Sequence, residues 1–362
     1  MRKSRRLPLI LIALALLTLT CNLPLPFSAS KTVVATPVPG EVLPTLATSR
    51  PSSEKPVQII PLAGPVTRAA AELSGLAWYG DYLIMLPQYP QRFGNKDEGG
   101  ALLALPRHAI LDYLEGRSTE PLQPIEVPLI SHDLERKVKG FEGFEAIGFS
   151  GNRAYFTIEA RHSFTKMMGY LVAGEIDPEL KELRLEPASL AENPPQANQS
   201  NHTDEALLVT SDGIITFFES NGAGLNPNPH GTIFDTSLQL SGTVPFPTIE
   251  YRVTDATALD DQAKFWMINY FFPGEPELKP SQDPLADKYG QGATHAAGLY
   301  VERLVEFQYK PDGIALTDTP PVQMQLIDEP RNWEGLVRLE GYGFLLVTDK
   351  YPGTLLGFIA YP

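Results

Sequence analysis

Five pairs of polar residues recur along this chain at a nearly constant spacing, and most are of types that bind cations. The first members are Ser74, Glu145, Glu205, Asp255 and Glu334. The second members follow 14 residues later in four pairs and 15 residues later in the fifth, and they are Gln88, Glu159, Glu219, Asn269 and Asp349. Carboxylates that are brought close together repel one another, so either their pKa values rise or a cation neutralises them. An all-oxygen set favours a hard cation, calcium first and magnesium second, and the lack of His or Cys argues against zinc.

Each pair brackets a predicted β-hairpin. In the first copy, apolar residues flank the dipeptide Gly80-Asp81, which is typical of a strand, a tight turn and a second strand. A hairpin brings its two ends together, so both polar members of a pair are expected at the same end. The residue after each first member is Gly or Ala, which would let neighbouring backbones approach closely.

The intervals between hairpins hold further strand-like segments, which predicts units of four short antiparallel strands. Such units repeated around an axis form a β-propeller. The expected fold is therefore all-β, a five-bladed β-propeller closed by an N-terminal strand. The last unit runs out of chain after three strands, and residues 57–62 are expected to supply the fourth. Closure of this kind removes exposed sheet edges.

In a propeller the five first members would form a ring at one mouth of the central channel. One interpretation is that this ring holds calcium; the other is that each side chain accepts backbone N–H groups from the next blade and no ion binds. The second members would surround the first ring, where they either serve a ligand or cap strand ends. Among them, Glu159, Glu219 and Asp349 are the candidates for holding a water molecule, and Gln88 and Asn269 complete this second ring.

The openings Glu72-Leu73-Ser74-Gly75-Leu76 and Trp333-Glu334-Gly335-Leu336 resemble the repeat openings of the soluble calcium-activated nucleotidases, the five-bladed apyrases. The series Ser, Glu, Glu, Asp, Glu is similar to the ring with which that family holds a central calcium. The acidic Asp-Asp-Arg-Thr-Gly turn of that family is replaced here by Leu86-Pro87-Gln88-Tyr89-Pro90. The Glu-Gly openings are also similar to those of bacterial phytase-like or esterase-like propeller lipoproteins. These resemblances imply a calcium-dependent hydrolysis of phosphate esters or anhydrides.

Basic residues near the same mouth are candidates for contact with a small anionic substrate. Arg161 and Lys350 follow second-ring positions directly, and Arg92, His162 and His202 lie nearby in sequence. A cationic group beside calcium would suit a phosphate or carboxylate. The alternative is that these groups pair with the surrounding acids. The Pro- and Gly-rich segment 271–298, with His295 near its end, is expected to be either a lid over the mouth or a tolerated insertion.

The N-terminus predicts export. Residues 1–20 combine four basic residues with an apolar stretch and are expected to be a lipoprotein signal peptide. Cys21, the only cysteine, would carry the lipid anchor of an extracytoplasmic, membrane-anchored bacterial lipoprotein. Residues 21–56 are expected to be a tether rich in Pro, Ser and Thr, and residues 57–362 the propeller.

The formal charge of −14 falls to about −18 without residues 1–20, which argues against nucleic acid as a partner. We expect a monomer. Two functions stay open at this point: a calcium-dependent phosphohydrolase, or a non-catalytic module that binds a protein or glycan ligand at the cell surface.

Overall fold

The computed structural model describes residues 53–68 and 70–361. The predicted signal peptide, the lipidation site Cys21 and most of the predicted tether lie outside these residues. Within them the chain is mostly β-sheet, as predicted. The α-helices are short: α1 (Arg107–Leu114), α2 (Leu134–Lys137), α3 (Pro284–Tyr289) and α4 (Ala293–Ala297). None of the helices in the described part is long and apolar enough to cross a bilayer. Single 3₁₀ turns occupy Pro65–Thr67, Pro90–Arg92, Pro187–Ser189 and Pro276–Leu278.

The strands fall into antiparallel groups that follow one another along the chain. After β1 (Gln58–Ile60), the first group is β2 (Leu73–Tyr79), β3 (Tyr82–Pro87), β4 (Ala101–Pro106) and β5 (Ile125–Ile130). The second is β6 (Phe141–Ser150), β7 (Arg153–Ser163), β8 (Lys166–Ile176) and β9 (Leu183–Leu185), with β10 (Ala191–Asn193) paired to β8. A parallel pairing of β5 with β9 joins these two groups into one sheet.

The remaining groups have the same order. The third is β11 (Asp204–Val209), β12 (Ile214–Phe218), β13 (His230–Phe234) and β14 (Leu240–Pro245). The fourth is β15 (Arg252–Ala256), β16 (Lys264–Phe271), β17 (Val301–Lys310) and β18 (Gly313–Leu316), with β19 (Val322–Gln323) paired to β17. The last is β20 (Trp333–Leu339), β21 (Gly343–Thr348) and β22 (Leu356–Ala360), and β1 pairs antiparallel with β22.

The first strand of each group faces the centre of the molecule. Strand β2 contacts β6, β6 contacts β11, β11 contacts β15, β15 contacts β20, and β20 contacts β2. Such a ring of inner strands, with the other strands of each group outside it, is a propeller-like arrangement. Close approach of the backbones depends on small residues. A Cβ added to Gly75 would lie 3.2 Å from the carbonyl oxygen of Glu145, and one added to Gly335 would lie 2.8 Å from the side chain of Leu76.

Large apolar side chains fill the space between neighbouring sheets. Phe265 of β16 stacks on Phe217 of β12 at 5.9 Å and on Phe307 of β17 at 5.4 Å between ring centroids. Trp266 packs edge-on against Phe344 of the next group. Trp266, Phe217 and Phe218 are all buried, whereas Trp78, another aromatic residue of a strand, is only partly buried. These contacts fix the positions of the inner strands, which carry the repeated polar residues.

The packed chain begins earlier than residue 57. The Lys55 N–H donates to the Gln323 carbonyl at 2.8 Å, and the Gln325 N–H donates to the Lys55 carbonyl at 2.7 Å. The Glu54 carboxylate accepts hydrogen bonds from the backbone N–H and the imidazole Nδ1 of His295, at 2.9 and 2.8 Å. Glu54 and Lys55, assigned to the tether from their composition, are therefore attached to the fourth group of strands.

Candidate functional site

The first member of every repeated pair lies in a β-bulge of an inner strand. Each inner strand shifts register against its hairpin partner across this residue, between Leu73 and Gly75, Phe144 and Ile147, Asp204 and Ala206, Val253 and Ala256, and Trp333 and Gly335. A bulge adds an unpaired residue and re-aims its side chain. The repeat seen in the sequence is therefore a repeat of bulges, which turn five polar side chains out of the regular alternation of the strands.

Two of the five side chains use their oxygens to hold the backbone. Ser74 Oγ donates to the Phe144 carbonyl at 2.6 Å. The Asp255 carboxylate accepts N–H groups of Ala256 at 2.8 Å, Leu336 at 2.7 Å and Leu76 at 3.4 Å. Neither Ser74 nor Asp255 lines the cavity at the mouth of the channel. Asp255 accepts backbone N–H groups as the structural alternative predicts, whereas Ser74 bonds to a neighbouring strand as a donor.

The other three side chains, Glu145, Glu205 and Glu334, converge. All three line the cavity, yet each residue is less than a tenth exposed. Burial raises the pKa of the Glu145 carboxyl well above its ordinary value, and Glu159, Glu205 and Glu334 add to the effect by repulsion. The pKa of Glu334 is raised in the same way by burial, Asp349 and Glu205. Three carboxyls on three different inner strands therefore act on one another electrostatically.

The cavity at this mouth has a volume of about 480 Å³. That size suits a small-molecule ligand. Seven carboxyl groups and one guanidinium line it, together with amides, aromatic rings and prolines: Gln88, Glu145, Glu159, Asn201, Glu205, Arg252, Tyr270, Phe272, Glu275, Glu329, Pro330, Asn332, Glu334, Asp349, Tyr351 and Pro352. The site is strongly acidic, and its inner part is shielded from water.

Residues of the predicted second ring take three different roles. Gln88 Nε2 donates to Glu145 Oε1 at 3.2 Å, so it orients a member of the first ring. Glu159 and Asp349 line the cavity. Burial and the nearby Glu142 raise the pKa of Glu159 to about 7, and burial raises that of Asp349 to about 6. Asn269 is committed to structure, because its amide donates to the Arg252 carbonyl at 3.0 Å.

Arg252 is the only basic side chain of the cavity lining, and the repeat pattern did not point to it. Its Nη1 lies 2.7 Å from Glu219 Oε1, and its Nη2 lies 2.5 Å from Glu275 Oε1. Glu219 itself is fully buried and does not line the cavity. Arg252 is the first residue of β15, three positions before the bulged Asp255, so its place at the start of an inner strand was the available signal.

The basic residues predicted to meet a substrate are paired with acids outside the cavity. Arg161 bonds Glu142 at 2.7 Å and also reaches Ser200 and Asn201. Lys350 and Arg92 both face Glu72, at 3.6 and 2.6 Å. The catalytic role predicted for Arg161 and Lys350 therefore has no support in their position.

The histidines near the cavity are also buried or hydrogen-bonded to neighbouring side chains. Burial, followed by the charge of Arg252, lowers the pKa of His202 to about 4, so it is neutral at pH 7. His162 shares a hydrogen bond of 2.7 Å with the Tyr170 hydroxyl. His295 is held by Glu54. From the predicted lid, segment 271–298, only Phe272 and Glu275 reach the cavity.

The donor chemistry for a hard cation is present, although the side chains are not gathered into a coordination shell. Within residues 53–68 and 70–361, no three Asp, Glu, His or Cys groups are close enough together to hold a metal as they stand. However, Glu205 Oε2 is buried and has no hydrogen-bond partner. An unpaired buried carboxylate oxygen is costly unless a proton or a cation joins it. Glu145, Glu205 and Glu334 therefore offer the oxygen donors that a hard cation prefers, but not a ready set of ligands, whereas Ser74 and Asp255 are committed to backbone bonds.

Comparison with known proteins gives distant structural similarity only. The chain matches no protein-family model and no curated protein. Among solved structures, it is similar to a GH43 endo-arabinanase from Bacillus licheniformis, with 12% identity, a TM-score of 0.44 and coverage of 82% of this chain and 96% of that one. It is also similar to the soluble aldose sugar dehydrogenase of Escherichia coli, with 10% identity, a TM-score of 0.43 and coverage of 84% and 99%. A similarity this distant says nothing about chemistry.

Proposed function

We propose that this chain is a calcium-dependent phosphohydrolase built on a five-bladed β-propeller. The proposal of five blades is supported by the ring of contacts among β2, β6, β11, β15 and β20. The proposal of N-terminal closure is supported by the pairing of β1 with β22, which gives the last group its fourth strand. With that strand in place, every group has at least four strands, and the outer edge of β22 is covered.

The observation that carries the proposed activity is the convergence of Glu145, Glu205 and Glu334. Glu205 and Glu334 raise the pKa of Glu145, and Glu205 raises that of Glu334. Burial and the neighbouring carboxyls Glu219 and Glu159 raise the pKa of Glu205, whose Oε2 is buried without a hydrogen-bond donor. The charge of Arg252 lowers the pKa values of Glu205 and Glu334 only in part, because its ion pairs are with Glu219 and Glu275. A divalent cation would relieve the repulsion, and a site made only of oxygens favours calcium. Glu145, Glu205 and Glu334 would hold it, with Gln88 orienting Glu145.

The surrounding side chains suit hydrolysis. Calcium, when bound, would neutralise charge and polarise a phosphoryl oxygen of the substrate. Glu159, with a pKa of about 7, lies in the same cavity and can take a proton from an attacking water near neutral pH. Asp349, with a pKa of about 6, is a second group able to exchange a proton. Glu145, Glu205 and Glu334 are themselves buried, so charge at these groups is poorly solvated.

The setting proposed for this activity is outside the cytoplasm. Cys21 would be lipidated after removal of residues 1–20, and the Pro-, Ser- and Thr-rich segment would hold a monomeric propeller away from the membrane. The acidic composition suits a compartment rich in divalent cations. A small phosphorylated molecule would reach the mouth as substrate.

A second candidate, a non-catalytic module that binds a protein or glycan, is favoured by one observation. Phe272 and Tyr351 line the mouth and are well exposed, beside the amides of Asn201 and Asn332. Exposed aromatic rings with polar neighbours are common at recognition surfaces. This candidate requires no turnover.

Phosphate release separates the two candidates. The full-length protein is incubated with nucleoside di- and triphosphates, sugar phosphates, phytate and aryl phosphates, with calcium, with magnesium, or with a calcium chelator. We expect phosphate release that requires calcium and returns when calcium is added back after chelation. The absence of calcium-dependent turnover on every substrate would reject the hydrolase and leave the binding module.

A further inference from the structure

The cavity holds far more negative than positive charge. Of its seven carboxyl groups, only Glu275 forms an ion pair with a basic side chain among the described residues, and that partner, Arg252, is shared with Glu219. Glu205 is only 8% exposed, and its Oε2, within the same cavity, has no hydrogen-bond partner. Burial raises the pKa values of Glu145, Glu205 and Glu334, which favours their protonated forms when no metal is bound. Glu329 is exposed and has no ion-pair partner among the described residues, so it is the lining carboxylate available to balance the charge of a ligand.

Aromatic rings stand at the outer part of this acidic cavity. Phe272 is 43% exposed and Tyr351 is 64% exposed, and both line the cavity. They come from different parts of the chain, since Phe272 follows β16 and Tyr351 follows β21. The acidic groups Glu275 and Glu329 belong to the same lining. The face of an aromatic ring attracts cations, most strongly those that shed water easily.

We propose that the outer part of the cavity binds a substituted ammonium group of a small molecule, with Phe272 and Tyr351 contacting its methyl or methylene groups and Glu329 balancing its charge. A hydrated metal ion would use the carboxylates but gain little from the rings. A neutral ligand would use the rings but leave the charge unbalanced. An organic cation uses both, and the cavity volume of about 480 Å³ limits it to a small molecule.

The inference concerns the same cavity as the proposed function but requires neither calcium nor hydrolysis. If both hold, the substrate carries a phosphate group and an ammonium group. The ammonium would then lie at the outer part and the phosphate towards Glu145 and Glu334. The two proposals fail separately, because ammonium binding can be measured on protein freed of calcium.

The test is isothermal titration of the full-length protein with choline, with and without calcium. Its matched control ligand is the neutral analogue in which carbon replaces nitrogen. Phe272→Leu, Tyr351→Leu and Glu329→Gln are each expected to weaken choline binding about tenfold, the scale of one lost cation–π or charge contact. The control variant is Phe164→Leu, because Phe164 is 91% exposed and lies outside the cavity lining.

Several results would overturn the proposal. One is equal affinity for choline and its neutral analogue, which would mean that the cavity does not recognise the positive charge. Another is choline binding that Phe272→Leu and Tyr351→Leu leave unchanged, which would mean diffuse attraction to an acidic surface. A third is binding of a lysine-containing peptide when choline and butylammonium do not bind, which would assign the surface to a polypeptide. Binding of choline that survives calcium removal and the loss of all phosphatase activity would support it.

Discussion

Asp255 Oδ2 accepts a hydrogen bond of 2.7 Å from the backbone N–H of Leu336, which belongs to the neighbouring inner strand β20. The same carboxylate accepts the N–H groups of Ala256 in its own strand and Leu76 in β2. One buried side chain therefore links three inner strands, β15, β20 and β2. Its sequence position is equivalent to those of Glu145, Glu205 and Glu334, but its oxygens serve the fold.

Replacing Asp255 with Asn is expected to destabilise the protein without changing its affinity for calcium. The amide presents an NH₂ group where backbone N–H groups now find carboxylate oxygens. Loss of buried hydrogen bonds to a charged acceptor costs about 1–3 kcal/mol. Denaturant unfolding measures the loss, and calorimetric titration measures the affinity. If Asp255→Asn instead abolishes calcium binding at unchanged stability, Asp255 is a ligand and the structural assignment is wrong.

Calcium is expected to raise the melting temperature of the wild-type protein, and a chelator to reverse the rise. Binding to the folded state alone stabilises it by about 2.7 kcal/mol when free calcium is one hundred times the dissociation constant. Glu145→Gln and Glu205→Gln should each reduce this gain, because each removes a buried carboxylate from the converging set. Glu340→Gln, an exposed change in the β20–β21 turn, is the control. Equal gains in all four proteins would exclude calcium from the ring.

The repeat was readable from the sequence because a hairpin and its bulge impose a fixed interval on polar residues. What the interval could not supply was the direction of each side chain. Ser74 and Asp255 are shorter than glutamate and bond to nearby backbone, whereas Glu145, Glu205 and Glu334 are one methylene longer than aspartate and reach the cavity. Side-chain length therefore separates the five equivalent positions into two that bond to the backbone and three that line the cavity.

The outer part of the site was not predictable from the repeat. Phe272, Glu329 and Tyr351 lie outside the regular strands, in connections that differ in length from one group to the next. Arg161 and Lys350 were predicted to face a substrate because of their place in sequence, but neither lines the cavity, and their charged groups pair with Glu142 and Glu72. Loops without a common length give no internal pattern from which to place such residues.

Stability without divalent cations is expected to fall as the pH rises from about 5 to about 8. Burial raises the pKa of Glu159 from 4.5 to about 7, so the folded state holds a proton that the unfolded state has already lost. The stability contributed by this group is full below pH 4.5 and is lost as the pH rises through about 7. Glu159→Gln should flatten the melting profile in this range.

His202 has the opposite sign, which provides a control for the pH experiment. Burial lowers its pKa from 6.5 to about 4, so its contribution is full above pH 6.5 and is lost as the pH falls through about 4. Between pH 4.5 and 6.5 the two contributions oppose each other, so His202→Gln should steepen the fall in stability there and leave the fall above pH 6.5 unchanged. A wild-type profile that rises steadily up to pH 8 in chelator would contradict the raised carboxyl pKa values.

Truncation from the N-terminus is expected to act in two steps. A chain that starts at residue 57 loses the Glu54 contacts to His295 and the Lys55 backbone bonds, and should melt at a lower temperature than one that starts at residue 53. A chain that also lacks residues 57–62 loses β1 and exposes the edge of β22, and should lose cooperative unfolding or aggregate. Identical melting temperatures for all three chains would contradict the proposal that β1 closes the propeller.

Glu159 and Arg161 follow each other closely in β7, yet their substitutions are expected to differ sharply if the cavity is catalytic. Glu159 lines the cavity, and its pKa of about 7 suits a general base. Loss of such a group typically lowers turnover by about 100-fold or more, so Glu159→Gln should abolish most phosphate release while calcium affinity persists. Arg161 lies outside the lining and is held by Glu142 at 2.7 Å, so Arg161→Ala should retain most activity. Steady-state turnover of both variants, at matched melting temperatures and saturating calcium, decides the point. Greater loss in Arg161→Ala than in Glu159→Gln would return Arg161 to the substrate site and require a different proton acceptor.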